Sequence, residues 1–361
     1  MVRFVAILAV CCVGTAGAAF DTSSGQVRVA PIVNGLDEPW SFGFLPDGRL
    51  LITEREGILL LVDDDITQVA GLPEIADVGQ GGLLDILIPR DFAQRREIFM
   101  SYAKPQGRGA GTALMRARLS KDGGRLSEVT TIFEIEPSTS GGQHFGSRIV
   151  EAPDGTLFLT IGDRGARDTA QDLSIETGSV VRVNRDGSVP RDNPFVGQDG
   201  AQPEIWSFGH RNPQGAALDL AGNLLVVEHG ARGGDEVNRV KKGANFGWPV
   251  ISYGQHYSGR SIGEGTAKDG LQQPDFFWDP SMAPSGMMIY SGALWPEWRG
   301  DIFVGSLKFD YISRLDGTPM TEVEQLTGDE TLRVRDVREG PNGGIWFLSV
   351  GNGTLYRMTP N

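Results

Sequence analysis

The chain has 361 residues, 40% hydrophobic and 22% charged, which is enough apolar material for a packed core and excludes intrinsic disorder. Fifty Gly and 20 Pro with no Gly-X-Y period call for many turns between short elements, an all-β composition. The net charge of −13 opposes nucleic acid and anionic lipid and suits a soluble protein that binds cations.

At the N-terminus, Arg3, an apolar run over residues 4–13 and the small residues Gly14-Thr15-Ala16-Gly17-Ala18-Ala19 read as a secretory signal peptide of residues 1–18, with Ala16-Gly17-Ala18 before the cut. The run is too short to span a membrane. Cys11 and Cys12 both lie in it, so the mature chain, residues 19–361, is expected to carry no thiol and to reside in the periplasm or outside the cell. A lipid anchor on either cysteine is the alternative, disfavoured by Val10 before the thiol.

Along the mature chain one unit recurs: a polar turn followed by an apolar run of strand length. Pro46-Asp47-Gly48 precedes 50–53, Pro153-Asp154-Gly155 precedes 157–161, Ala221-Gly222-Asn223 precedes 224–227, and Pro341-Asn342-Gly343 precedes 345–350. Weaker copies are Arg96 before 98–102 and Trp298-Arg299-Gly300 before 302–304. Their irregular spacing is that of propeller blades with and without inserted loops. Further runs follow at 58–62, 180–183, 311–315 and 354–358, and no helical stretch competes. The expected fold is therefore a single-domain, six-bladed β-propeller of four-stranded antiparallel blades, with the early run 27–33 pairing to the last blade to close the ring. A sandwich of ordinary hairpins is the competing reading.

Residues that follow the central strands should share one rim, where a propeller binds its ligand. They are polar: Gly162-Asp163-Arg164-Gly165, Glu228-His229-Gly230 and Ser306-Leu307-Lys308. Glycine-rich connections add 79–82, 141–146 and 209–215, which let backbone approach a ligand closely. His144 is a candidate general base that Asp163 could orient. Arg211, Lys308, Arg333 and Arg335 concentrate positive charge in an acidic protein and suit an anionic cofactor. Asp235-Glu236, with the carbonyls near Phe246, offer the hard oxygens calcium takes. Taken singly, each has a structural reading: a hydrogen-bonded loop histidine, a solvated acidic pair, the polar face of a strand.

Together, the strings GGQHFGSRI (141–149), LTIGDRG (159–165), EIWSFGHRNPQG (204–215), EHGARGGDEVN (228–238), ANFGWP (244–249) and LRVRDV (332–337) closely resemble the soluble quinoprotein sugar dehydrogenases. These are six-bladed propellers that use pyrroloquinoline quinone and calcium. The resemblance runs from about Leu36 to the C-terminus and is nearer to the aldose sugar dehydrogenase branch than to the soluble glucose dehydrogenase.

The resemblance implies oxidation of the C1 hydroxyl of aldoses to lactones, with His144 as the base, Asp163 supporting it and Arg211 stabilising negative charge on the quinone oxygen. Asn212, Gln80, Lys308, Arg333 and Arg335 match cofactor-contacting positions, and Tyr257 matches one in the aldose branch. The carbonyls of Gly230 and Ala231 fall where the family holds the cofactor-bound calcium, and Glu236 with the carbonyl of Phe246 where it holds a second one. Ala231 replaces a proline of the glucose dehydrogenase and Phe246 a tyrosine of relatives; backbone ligation would tolerate both. Expected partners are an aldose and an electron acceptor, with no nucleic acid and no membrane span, for a monomer or homodimer. The competing functions are a calcium-dependent propeller lactonase, against which the Arg/Lys cluster argues, and a non-catalytic carbohydrate- or protein-binding propeller, against which the joint presence of His144, Asp163, Arg211 and Lys308 argues.

Overall fold

The computed structural model describes residues 18–107, 109–136 and 139–361. The expected signal peptide, apart from its last residue Ala18, lies outside them. Six antiparallel sheets are arranged as blades. Their innermost strands are Pro39–Phe44, Leu83–Leu87, Ile149–Glu151, Pro213–Leu218, Pro284–Ile289 and Val334–Glu339, and each touches the next around a ring. The second strands are Leu50–Glu54, Glu97–Gln106, Leu157–Thr160, Leu224–Glu228, Ile302–Ser306 and Ile345–Ser349. All six turn-and-run units of the sequence thus became the second strand of a blade. The one α-helix among the described residues is Phe92–Arg95, and no described helix is long and apolar enough to cross a membrane.

These second strands are apolar on both faces because a blade is packed on both sides. In the third blade Leu157 and Leu159 face the second blade, packing with Phe99 and Leu114, while Phe158 turns the other way onto Ala216 and Val226 of the fourth. Leu225 and Val227 meet Met287 and Val304 of the fifth blade, whereas Leu224 and Val226 face back to the third. The period-2 alternation of a strand therefore splits each run between two interfaces, and each buried Leu or Val stabilises by about 1.5–3 kcal/mol.

The ring closes as expected: strand Gly25–Asn34 pairs antiparallel with the last strand, Thr354–Pro360, with Val29 opposite Met358. One difference is an added strand, Ala18–Thr22, which pairs with Gly25–Asn34 and makes this sheet five-stranded. Gly25, with φ of 97°, permits the tight reversal, and the extra strand covers what would otherwise be an open edge.

Inside the ring, charge replaces apolar packing. Asp85 of the second blade accepts from Arg148 (2.9 Å), Arg338 (2.6 Å), the Ser41 hydroxyl (2.7 Å) and the amide of Ile149 (2.7 Å). Asp336 binds the same two guanidinium groups at 3.0 and 2.8 Å. Burial pushes the Asp85 carboxyl up, but Arg148 and Arg338 outweigh it and hold it below the usual range. This knot ties four blades together across the channel. Arg148→Met should cost about 3–5 kcal/mol in urea unfolding, because it strands buried carboxylates with one cation between them. A loss below about 1 kcal/mol, the range of exposed pairs, would show the knot to be solvated.

Candidate active site

In an antiparallel pair, the start of the inner strand and the end of the second strand meet at the same rim. The register shows it: Pro213 opposite Glu228, Pro284 opposite Ser306, Val334 opposite Ser349. His144, Arg211, Arg333, Asp163, His229 and Lys308 all lie within a few residues of these ends, so topology brings them to one mouth.

His144 sits in a loop before the third inner strand with φ of 55°, a left-handed conformation that its surroundings must hold. Gly162 passes so close that a Cβ there would lie 2.0 Å from the His144 carbonyl oxygen, which is why the position is glycine. The His144 amide donates to Gln80 Oε1 at 2.8 Å, and Gln80 in turn donates its own amide to the carbonyl of Gly142 at 2.7 Å. Arg164 clamps the loop from inside, donating to the carbonyls of Gly141, Gln143 and Ala110 and lying 3.3 Å over the Phe145 ring. Burial pushes Arg164 down to about 10, and it stays charged at neutral pH.

The His144 ring bonds through Nδ1 to Asp163 Oδ1 at 2.6 Å. Asp163 is 1% exposed; its Oδ1 also accepts the Gly165 amide at 2.8 Å, and its Oδ2 accepts the Trp248 indole N–H at 2.8 Å. Burial pushes the carboxyl up, but His144, the Gly165 amide and Arg211 together hold it below the ordinary range. An ionised Asp163 requires the hydrogen on Nδ1 and leaves the Nε2 lone pair of His144 free, the tautomer a general base needs.

On the same rim as this base stand four cations, none of which forms an ion pair with a carboxylate among the described residues. Arg211 donates to the carbonyl of His229 (3.3 Å) and lies over Trp248; Lys308 donates to that of Ser281 (3.1 Å), Arg333 to that of Leu307 (3.1 Å), and Arg335 to Gln214 Oε1 (2.7 Å). Burial, with Arg333 and Arg148 nearby, pushes Arg335 down to about 9. Asn212 accepts the Gly146 amide on Oδ1 (3.1 Å), and its Nδ2 is buried without a partner. Uncompensated cations beside an orphaned donor fit a polyanionic ligand. His229 is neutral here: burial and Arg211 push it down to about 3, and its Nε2 donates to the Pro284 carbonyl at 2.6 Å.

Beyond His229, the carbonyls of Gly230, Ala231 and Phe246 accept no hydrogen bond from described residues. The 230–234 turn is crowded with oxygen: a Cβ on Gly230 would meet the Gly233 and Gly234 carbonyls at 2.1 and 2.3 Å. Burial and Glu228 push the Glu236 carboxyl up to about 8, and Asn238 donates to both carboxylates at 3.1 and 3.0 Å while its Oδ1 is left without a donor. Glu228 is saturated by His210 Nδ1 (2.8 Å) and the Arg211 amide (2.7 Å), and His210 stacks on Phe246. No group of three His, Cys, Asp or Glu with metal spacing occurs among the described residues, so a cation here would rest on carbonyl, carboxylate and amide oxygens, a donor set suited to calcium.

Of the residues expected from sequence, Gln80, His144, Asp163 and Arg211 are joined by hydrogen bonds, the last through its backbone carbonyl to the Asp163 amide; Asn212 follows Arg211 and holds the Gly146 amide, and Lys308, Arg333 and Arg335 are on the same rim. Tyr257 is apart, 77% exposed beyond the short bridge of Gln255 with Ser261. Trp248, Arg164, His229 and Glu228 were not singled out, although all four stand inside the quoted motifs.

The sequence profile of the glucose/sorbosone dehydrogenases matches residues 36–357. The aldose sugar dehydrogenase YliI of Escherichia coli is 41% identical, with 92% of this chain and 93% of that protein covered. The quinoprotein glucose dehydrogenase B of Acinetobacter calcoaceticus is 29% identical over 78% of this chain and 64% of its own. Among solved structures, the apo-form of the soluble E. coli aldose sugar dehydrogenase superposes with a TM-score of 0.88 at 39% identity, covering 93% of this chain and all of that one. A glucose dehydrogenase crystal structure gives 0.89 at 42%, covering 91% of this chain and 99% of its own. With a family profile spanning nearly the whole propeller, this chain belongs to the glucose/sorbosone dehydrogenase family and is a sugar dehydrogenase, an oxidoreductase.

Proposed function

We propose that this propeller oxidises the C1 hydroxyl of aldoses to lactones with pyrroloquinoline quinone and calcium, after export from the cytoplasm by loss of residues 1–18, and that residues 19–361 form one domain. The observation that carries the reading is a histidine of fixed tautomer on the same rim as four cations that form no ion pair with a carboxylate among the described residues. Arg211, Asn212, Lys308, Arg333 and Arg335 would hold the cofactor's carboxylates and quinone oxygens, with Gln80 beside them. Tyr257 would join them only if the 255–261 segment turned inward. The carbonyls of Gly230 and Ala231 would hold a cofactor-bound calcium, and Glu236 with the Phe246 carbonyl a structural one.

Bound there, the quinone would supply the hydride acceptor and calcium a Lewis acid to polarise it. His144 Nε2 takes the proton of the C1 hydroxyl, and the Asp163 carboxylate stabilises the imidazolium that forms. Arg211, nearly buried, would stabilise the negative charge that hydride transfer places on the acceptor oxygen. Neutral His229 adds no positive charge to compete with that of Arg211.

The test is dye-linked oxidation of glucose and a panel of aldoses by the purified protein, with and without added pyrroloquinoline quinone and calcium. Activity should require both additions and fade on chelation. Absence of activity together with absence of cofactor binding would overturn the reading, and lactone hydrolysis would then be the assay to run.

A further inference from the structure

Two buried side-chain amides stand at the entry to the fourth inner strand: Asn212 just before it, and Gln214 at the irregularity between Pro213 and Gly215, where the ladder shifts register. Each has its oxygen engaged by a protein N–H: the Gly146 amide on Asn212 and the Arg335 guanidinium, at 2.7 Å, on Gln214. Each is left with an NH₂ group that donates to nothing among the described residues. The Gln214 assignment is forced, because a guanidinium can only donate, so the atom facing it is the oxygen.

Charge near Gln214 is sorted. Both buried aspartates of the channel, Asp85 and Asp336, are consumed by Arg148 and Arg338. Arg148 also donates through Nε to the backbone carbonyl of Gln214 at 3.1 Å, and the Trp40 ring faces Arg148 at 4.7 Å and Arg335 at 5.7 Å. Arg335 is therefore fixed by a neutral amide and an aromatic face, next in sequence to an aspartate that is occupied elsewhere. A carboxylate at 214 would supply the same hydrogen bond and cancel the charge.

We propose that Gln214 is a positioning residue of the anion site: its oxygen sets the Arg335 guanidinium without neutralising it, and its NH₂ group, like that of Asn212, donates to the same anionic ligand. The inference rests on the cofactor reading above and deepens it, since it explains how a buried arginine is kept both ordered and available.

The experiment is an equilibrium titration of purified protein with pyrroloquinoline quinone, read by quenching of tryptophan fluorescence, alongside thermal unfolding. Gln214→Glu should raise Kd about 100-fold, as a charge-assisted pair is lost to an internal carboxylate, while Tm stays level or rises from the new ion pair. Gln214→Met, similar in size but without the amide, should raise Kd about 10-fold. Wild-type Kd in Gln214→Glu would overturn the proposal, as would a loss of affinity matched by a fall in Tm in both variants, which would make the residue merely structural. A wild type that fails to bind the quinone at all would remove the cofactor reading and this inference with it.

Discussion

Replacing His144 with alanine should lower kcat about 10²–10⁴-fold, the range that a positioned general base contributes, while leaving quinone affinity within a few-fold of wild type. The separation follows from the geometry. The cations and Asn212 that would hold the cofactor lean on carbonyls, on Gln214 and on the Gly146 amide, and none of them bonds to the His144 ring. The loop should survive the change, because Arg164 grips it through backbone carbonyls and the His144 main chain keeps its bond to Gln80. Unchanged turnover in the loaded variant would dismiss His144 as the base, and quinone affinity lost in parallel would assign it to binding instead.

Asp163→Asn should cost a comparable factor by a different route. The carboxylate accepts on both oxygens, from His144 and Gly165 on one and from Trp248 on the other. An amide cannot do so. With its NH₂ toward Trp248, two donors collide; with its NH₂ toward His144, the imidazole is driven to the Nε2–H tautomer and loses the lone pair that takes the substrate proton. The variant should also show what the carboxylate contributes to stability. Its folded pKa is depressed, so that contribution is present at neutral pH and is lost as pH falls through the folded value. Wild type and Asp163→Asn should therefore differ in unfolding free energy at pH 7 and converge in acid; curves that stay parallel to low pH would show that Asp163 is not held ionised by His144.

The propeller was legible because its second strands carry the strongest local signal, a tight polar turn and then a run that is apolar on both faces. The inner strands were harder to read for a physical reason. Ser41, Asp85, Ser285 and Asp336 sit in them fully buried, so the strands nearest the axis look like loops. Register shifts at Pro39/Ser41, Leu83/Ile86 and Val334/Asp336 break the alternation further. In the site, His144 and Asp163 stood out by residue type and by glycine-rich flanks. Trp248 did not, since nothing near it in sequence shows that its indole reaches a carboxylate 85 residues away. Arg164 and Gln214 lay inside quoted motifs, yet their roles depend on which carbonyl or guanidinium folding brings to them. The Asp85, Arg148, Asp336 and Arg338 knot was invisible for the same reason, being drawn from three distant segments.

The pairing of strand Gly25–Asn34 with Thr354–Pro360 has a consequence for biogenesis. Five blades can be assembled from chain that is contiguous as it emerges; the sixth must wait for a strand translated some 320 residues earlier. That early strand spends nearly the whole of synthesis without its partner, and the ring locks only when the far end arrives, a long-range closure of the slowest kind. A chain cut short would leave a gap between its first and last blades, with apolar flanks such as Val33 and Phe42 bare to solvent. Such a product is a ready substrate for proteases and chaperones, so completion of the ring doubles as a proofreading step for the integrity of the polypeptide.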